Sequence, residues 1–201
     1  MSASSYDSSD FWAKKAKKEG YPARSVYKLM ELDAKFKFFK PGVRVLDIGA
    51  APGSWSLWTL QRIGERGFLA ALDLQNLGVS PANNNFFFLR GDLYDDAVRQ
   101  AIQERGPYDV VMSDAAPSTS GNSGLDTDRS EAIVEAVLDY ADSMLKPGGT
   151  VIAKLFMGGG QKELLDRMKK SYTSARAFKP QSCRSVSFET YVLGFGKKAP
   201  K

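Results

Sequence analysis

"PGVRVLDIGAAPGSW", residues 41–55, carries an apolar strand into a glycine turn and out into the start of a helix. Gly49 and Gly53 allow positive φ and close backbone approach, and Ser54 is placed to cap the helix that follows. In an open α/β sheet such a turn lies beyond the carboxyl end of a strand, where ligands bind. The two glycines are four residues apart and no G-x-G-x-x-G occurs, which excludes the nicotinamide fingerprint. A glycine turn can also be no more than a tight strand-to-helix connection. Its surroundings decide.

Those surroundings alternate. Upstream, Val26, Leu29, Met30, Leu32 and Phe36 recur at helical spacing, predicting an amphipathic helix over 23–38 with Lys28 at the edge of its apolar stripe. Downstream, "GFLAALDL" (67–74), "FFFLRGDL" (86–93) and "YDVVMSDAAP" (108–117) read as strands two to four. A Ser/Gly-rich loop at 118–126 precedes a helix carrying Ile133, Val137, Tyr140, Ala141 and Met144 on one face. "KPGG" (146–149) ends it, and "TVIAKLF" (150–156) is a fifth strand. A helix near 160–170 and two strands near 172–179 and 187–196 close the chain. Strands alternating with helices predict an α/β fold with a mostly parallel seven-stranded sheet, helices on both faces and an antiparallel strand at one edge. The 201 residues suit a single domain over 11–198 after a disordered tail at 1–10.

Composition narrows the chemistry. The one cysteine, Cys183, cannot close an internal disulfide, and the absence of histidine leaves no Cys/His set for a metal. No leader-like or membrane-spanning apolar run is present, so a cytoplasmic protein is expected. The net charge of +5 is unevenly spread: residues 1–40 hold nine basic and five acidic side chains, residues 169–201 eight and one, and the middle is acidic. Basic ends that also carry Trp12, Tyr21, Tyr27 and Phe178 suit contact with phosphates better than a merely solubilising tail. Charge alone does not separate RNA from DNA or an anionic membrane.

The acidic middle gathers at strand ends. Asp47, Asp73, Asp92 and Asp114 close the first four strands. Asp73, 24 residues after Gly49, is placed to accept ribose hydroxyls, and Asp92 to meet an adenine amino group. Four carboxylates disfavour a pyrophosphate. They suit an adenosine cofactor with a positive charge and no phosphate, a description met by S-adenosylmethionine.

"VIAKLFMGGG" (151–160) sets a lysine in a buried strand, at a high desolvation cost. Without histidine, proton transfer near neutral pH must fall to another group, and Lys154 is the candidate. Burial and a neighbouring cation would both favour its neutral form. The plainer alternative is that Lys154 is salt-bridged to Asp114 across neighbouring strand ends.

Taken together, "VLDIGAAPGSWSL", "SDAAPSTSG", "VIAKLFMGGG" and "KPQSCRSVSFETYVLGFG" resemble the FtsJ/RrmJ family of RNA ribose 2′-O-methyltransferases, from about Trp12 to Lys198. The resemblance implies a Rossmann-like class I methyltransferase fold and S-adenosylmethionine as cofactor. It implies a catalytic tetrad of Lys28, Asp114, Lys154 and Glu189, with cofactor contacts at Gly49, Gly53, Trp55, Asp73, Asp92 and Asp114 and no metal. The implied substrate is a uridine of 23S rRNA in the large ribosomal subunit, met by a monomer. A tRNA, an mRNA cap, or a non-catalytic role in ribosome assembly are the alternatives. Two departures stand out: Phe188 occupies a position commonly basic in the bacterial branch, and "MGGG" (157–160) replaces a more polar turn.

Overall fold

The computed structural model describes residues 4–82, 84–158, 160–183 and 187–199. Two helices lead, α1 (Ser4–Lys18) and α2 (Val26–Phe36). Then come β1 (Arg44–Ile48), α3 (Ser54–Ile63), β2 (Phe68–Asp73), β3 (Phe86–Arg90), α4 (Asp96–Gln103) and β4 (Tyr108–Ser113). The chain finishes with α5 (Ser123–Met144), β5 (Leu145–Phe156), α6 (Gln161–Ser171), β6 (Tyr172–Phe178) and β7 (Glu189–Lys197). The seven strands form one sheet in the order β3-β2-β1-β4-β5-β7-β6. Strands β1 to β5 pair in parallel, while β7 pairs antiparallel with both β5 and β6. The antiparallel hairpin therefore makes one edge of the sheet, with β7 inserted between β5 and β6. The strand order reverses between β1 and β4, the place where such sheets bind ligands.

Alternation along the strands sorts side chains to two cores. Leu46, Ile48, Val111, Val151, Ala153 and Leu155 pack under α4, α5 and α6. Val45, Leu69, Val110, Met112, Ile152, Tyr191 and Leu193 pack under α2 and α3. By the same period of two, Lys154 and Glu189 belong to the second face, towards α2 and α3. Burial of Lys154 is thus set by register: Ile152 is core on that face, and the lysine stands one step beyond it.

Local differences from the sequence reading have physical reasons. Gly53, at φ 108°, is itself the N-cap of α3, and the Ser54 hydroxyl instead accepts from the Ala23 N–H at 2.7 Å. Helix α4 was not read from the sequence; Asp95 caps it by accepting from the Ala97 and Val98 N–H groups, and Ile102 is its buried anchor. Lys146–Gly149 lie within β5, where pairing to β4 jumps from Tyr108↔Leu145 to Val110↔Thr150. The tail expected at 1–10 falls on residues 1–3, outside the described residues, and on 4–10, whose backbone belongs to α1. The rest of α1 is anchored: Trp12 and Ala16 pack with Tyr21, Val26 and Tyr27 against Leu57 and Trp58 of α3.

Asp47 is an unusual core residue. It is fully buried in β1; one carboxylate oxygen accepts from the Ser56 hydroxyl at 2.6 Å and the other has no hydrogen-bond partner among the described residues. Burial, with added repulsion from Asp114 and Asp73 against the help of Ser56, raises its pKa to about 7. The folded state therefore holds this proton more tightly than the unfolded chain. Stability from this group is full below the unfolded carboxylate range and is lost as pH rises from about 4 to about 7. In the cofactor-free protein, Asp47→Asn is expected to remove that decline. Urea midpoints followed across this window check it, and parallel curves for both proteins would show that Asp47 does not titrate there.

Candidate active site

Three neighbouring strands and one helix bring four charged side chains together. Asp114 follows β4, Lys154 ends the core of β5, Glu189 opens β7, and Lys28 comes down from α2. The register places Lys154 opposite Tyr191 and Phe156 opposite Glu189. Lys28 Nζ donates to Glu189 Oε2 at 2.6 Å. Lys154 Nζ donates to the Asp114 carbonyl at 2.5 Å and lies 3.2 Å from its carboxylate Oδ1. Both lysines are buried, at 6% exposure each. The ion pair anticipated between Lys154 and Asp114 is present, and it forms half of a larger cluster.

Burial works against the charge on Lys28, but the carboxylates of Asp114 and Glu189 outweigh it and hold its pKa above the ordinary lysine value. Lys28 is therefore the fixed cation of the group. Sequence reasoning missed one member. The fully buried Tyr191 donates its hydroxyl to Asp114 Oδ1 at 2.7 Å, and burial beside Asp114 raises its pKa well above that of a free tyrosine. Tyr191 stands two residues after Glu189, so strand alternation alone puts both on one face; that was the available signal. Cys183 packs in the same core, where burial pushes its thiol pKa up and keeps it protonated.

A cleft of about 610 Å³ opens at the strand-order reversal, walled by Ser25, Gly49, Asp73, Asp114, Ala115 and Lys154 among others. Gly49 has φ 75°, and a Cβ there would come within 2.5 Å of Ala115 Cβ and 2.7 Å of its Cα. Asp73 shapes the turn by accepting from the Ala51 N–H and the Gln75 N–H, both at 2.8 Å. Gly53 and Asp92 are chain neighbours of Pro52 and of Gly91 and Leu93, which line the cleft. Trp55 does not reach the cleft with its side chain: the indole is buried, donates to the Ser25 carbonyl at 2.9 Å and stacks on Tyr191 at 5.9 Å. It ties Ser25, which lines the cleft, to Tyr191 of the charged cluster. The donor set fits a phosphate-free cationic cofactor, since among the described residues two carboxylates, Asp73 and Asp114, wall the cleft against one cation, Lys154.

A seven-stranded sheet with β7 inserted, a glycine-turn cleft at the order reversal and acidic strand ends define a Rossmann-like class I methyltransferase. More narrowly, the chain belongs to the FtsJ-like methyltransferase family, whose model matches residues 21–197. It is 46% identical over 198 residues to the ribosomal RNA large subunit methyltransferase E of Treponema denticola, covering 98% of this chain and all of that one. The Oleidesulfovibrio alaskensis protein of the same name is 43% identical, covering 94% of this chain and 92% of that one. Among solved structures, a Plasmodium falciparum protein described as a ribosomal RNA methyltransferase superposes with a TM-score of 0.77 at 26% identity, over 90% of this chain and all of that one. Human methyltransferase-like protein 13, solved with SAH, shares the fold at a TM-score of 0.57 and 18% identity, over 80% of this chain and 73% of that one.

Proposed function

We propose that this chain is an S-adenosylmethionine-dependent RNA ribose 2′-O-methyltransferase acting on a uridine of 23S rRNA in the large ribosomal subunit. The observation that carries the reading is the buried Lys28–Glu189 and Lys154–Asp114 cluster, with Asp114 and Lys154 also walling the cofactor cleft. Gly49, Asp73 and Asp114 would hold the cofactor. Bound S-adenosylmethionine supplies a methyl group made electrophilic by the adjoining sulfonium, ready for transfer to the ribose oxygen.

The remaining work belongs to the chain. Lys154 Nζ, when neutral, takes the proton of the 2′-hydroxyl, and the strand register fixes where that nitrogen stands. Asp114, held by the Tyr191 hydroxyl, orients Lys154. Lys28 stays protonated and holds the Glu189 carboxylate, which accepts from the ribose. Such alignment is the main help an already activated methyl donor needs.

RNA reaches this face over a basic approach. Helix α1 is docked on α2 and α3, on the side of the sheet that carries Lys28 and Lys154, and exposes Lys14, Lys17 and Lys18. Lys15 lies against the Trp12 and Tyr27 rings at 5.1 and 5.0 Å. Changing all four lysines to glutamine is expected to weaken RNA binding and flatten its salt dependence while cofactor affinity stays unchanged. Each lost phosphate contact lowers the log–log slope by about 0.9 on duplex or about 0.7 on single strands. Equal slopes for both proteins would assign these lysines to solubility alone.

Mass-spectrometric mapping of ribose methylation in cells with and without the protein tests the function. Loss of one 2′-O-methyluridine from large-subunit rRNA is expected. Loss from tRNA or capped mRNA would move the substrate within the same chemistry. An unchanged map, with no transfer from labelled cofactor, would leave an assembly factor that kept the fold. Among the described residues no helix is long and apolar enough to cross a membrane. We place the enzyme in the cytoplasm, acting as a monomer on the assembled subunit.

A further inference from the structure

Glu189 faces two ways. Besides its ion pair with Lys28, it lines a second cavity of about 710 Å³ that, among the described residues, shares no wall residue with the cofactor cleft. The tetrad is thus divided between two cavities, with Asp114 and Lys154 on the cofactor side and Glu189 on the other. Phe156, Met157 and Phe188 supply apolar wall to the second cavity, and Thr119, Thr127 and Ser187 supply hydroxyls. Phe188 is 69% exposed and Met157 40% exposed, an unusual outlay of large apolar surface beside a buried charge cluster. The Met157 N–H donates to the Phe188 carbonyl at 2.7 Å, fixing the two backbones side by side next to the register pair Phe156↔Glu189.

We propose that this second cavity is the slot for the base of the nucleotide being methylated, with the Phe188 ring as its stacking platform. The inference rests on the reading of the chain as a ribose methyltransferase. A 2′-oxygen held at the tetrad lies on the carbon next to the one that bears the base, so the base must occupy space adjoining Glu189. The cofactor fills the cleft on the other side, which leaves this cavity. An exposed aromatic ring gives an unstacked base the contact it loses on leaving its neighbours, and the hydroxyls can meet the polar edge of a pyrimidine. The target nucleotide is accordingly in a loop or bulge, or is extruded, when it reacts.

The test uses large subunits purified from cells lacking this protein, with Phe188→Ala, Phe188→Leu and Phe188→Tyr. A stacking platform predicts that alanine lowers kcat/KM by on the order of 10- to 100-fold, from the usual worth of a base–aromatic stack. Tyrosine should recover most of the loss and leucine little, with calorimetric affinity for S-adenosylmethionine unchanged throughout. Full recovery by leucine, or no loss with alanine, would overturn the slot. In parallel, subunits carrying 4-thiouridine are irradiated with the wild-type enzyme and the crosslinked peptides sequenced. A crosslink from the mapped uridine to the peptide holding Phe188 or Met157 supports the slot; crosslinks from that uridine confined to other segments overturn it. Absence of methyl transfer by the wild-type protein to these subunits would remove the functional reading itself, and the slot with it.

Discussion

Lys154→Ala is expected to fold and bind S-adenosylmethionine normally, yet to lose about 10²–10⁴-fold in single-turnover methyl transfer at saturating RNA, the usual contribution of a positioned base. The fold should survive because Asp114 keeps its bond from the Tyr191 hydroxyl when the lysine is gone. Lys154→Arg should fail as well, since a guanidinium stays protonated and cannot accept the ribose proton. Glu189→Gln should be milder, because an amide can still accept from the ribose. Near-normal turnover by the arginine variant would end the base role and leave Lys154 a cation that steers the substrate.

The second large effect concerns the glycine turn. Gly49→Ala is expected to abolish measurable S-adenosylmethionine binding, because its Cβ would meet the backbone and Cβ of Ala115, which immediately follows Asp114. Positive φ adds strain of about 1–2 kcal/mol for a residue with a side chain. Gly53→Val should also remove binding, though by a route different from simple filling of the cofactor's space. Its Cβ would come within 2.3 Å of Val79 and displace the segment that carries Leu77 and Val79. Isothermal titration decides both, and retained affinity in the two variants would remove the cleft assignment. Thermal melts separate loss of the site from loss of the fold.

Much of this architecture could be read before any coordinates. The strands were legible because each combines an apolar run with a turn-forming end, and the glycine turn because positive φ leaves few residue choices. Lys154 stood out as a charge among buried neighbours. Helix α4 escaped because its apolar face is little more than Val98 and Ile102, too short a pattern against its polar residues. Insertion of β7 between β5 and β6 depends on which edge a returning strand finds, and nothing in its own residues records that. The side-chain direction of Trp55 was likewise set by packing on Tyr191 rather than by the turn it follows. Lys28 and Glu189 drew attention through a family pattern. Their partnership becomes physical only when α2 and β7 meet.

That meeting has a temporal consequence. Lys28 and Glu189 are 161 positions apart along the chain, Tyr191 and Asp114 are 77 apart, and Lys154 and Asp114 are 40 apart. No described wall residue of the cofactor cleft comes from β7, whereas the tetrad is incomplete until Glu189 arrives on that strand, and its contact with Lys28 closes the longest of these loops. Recovery of catalysis after dilution from denaturant should therefore trail recovery of cofactor affinity. Methyl transfer becomes the clock that reports the final docking of β7.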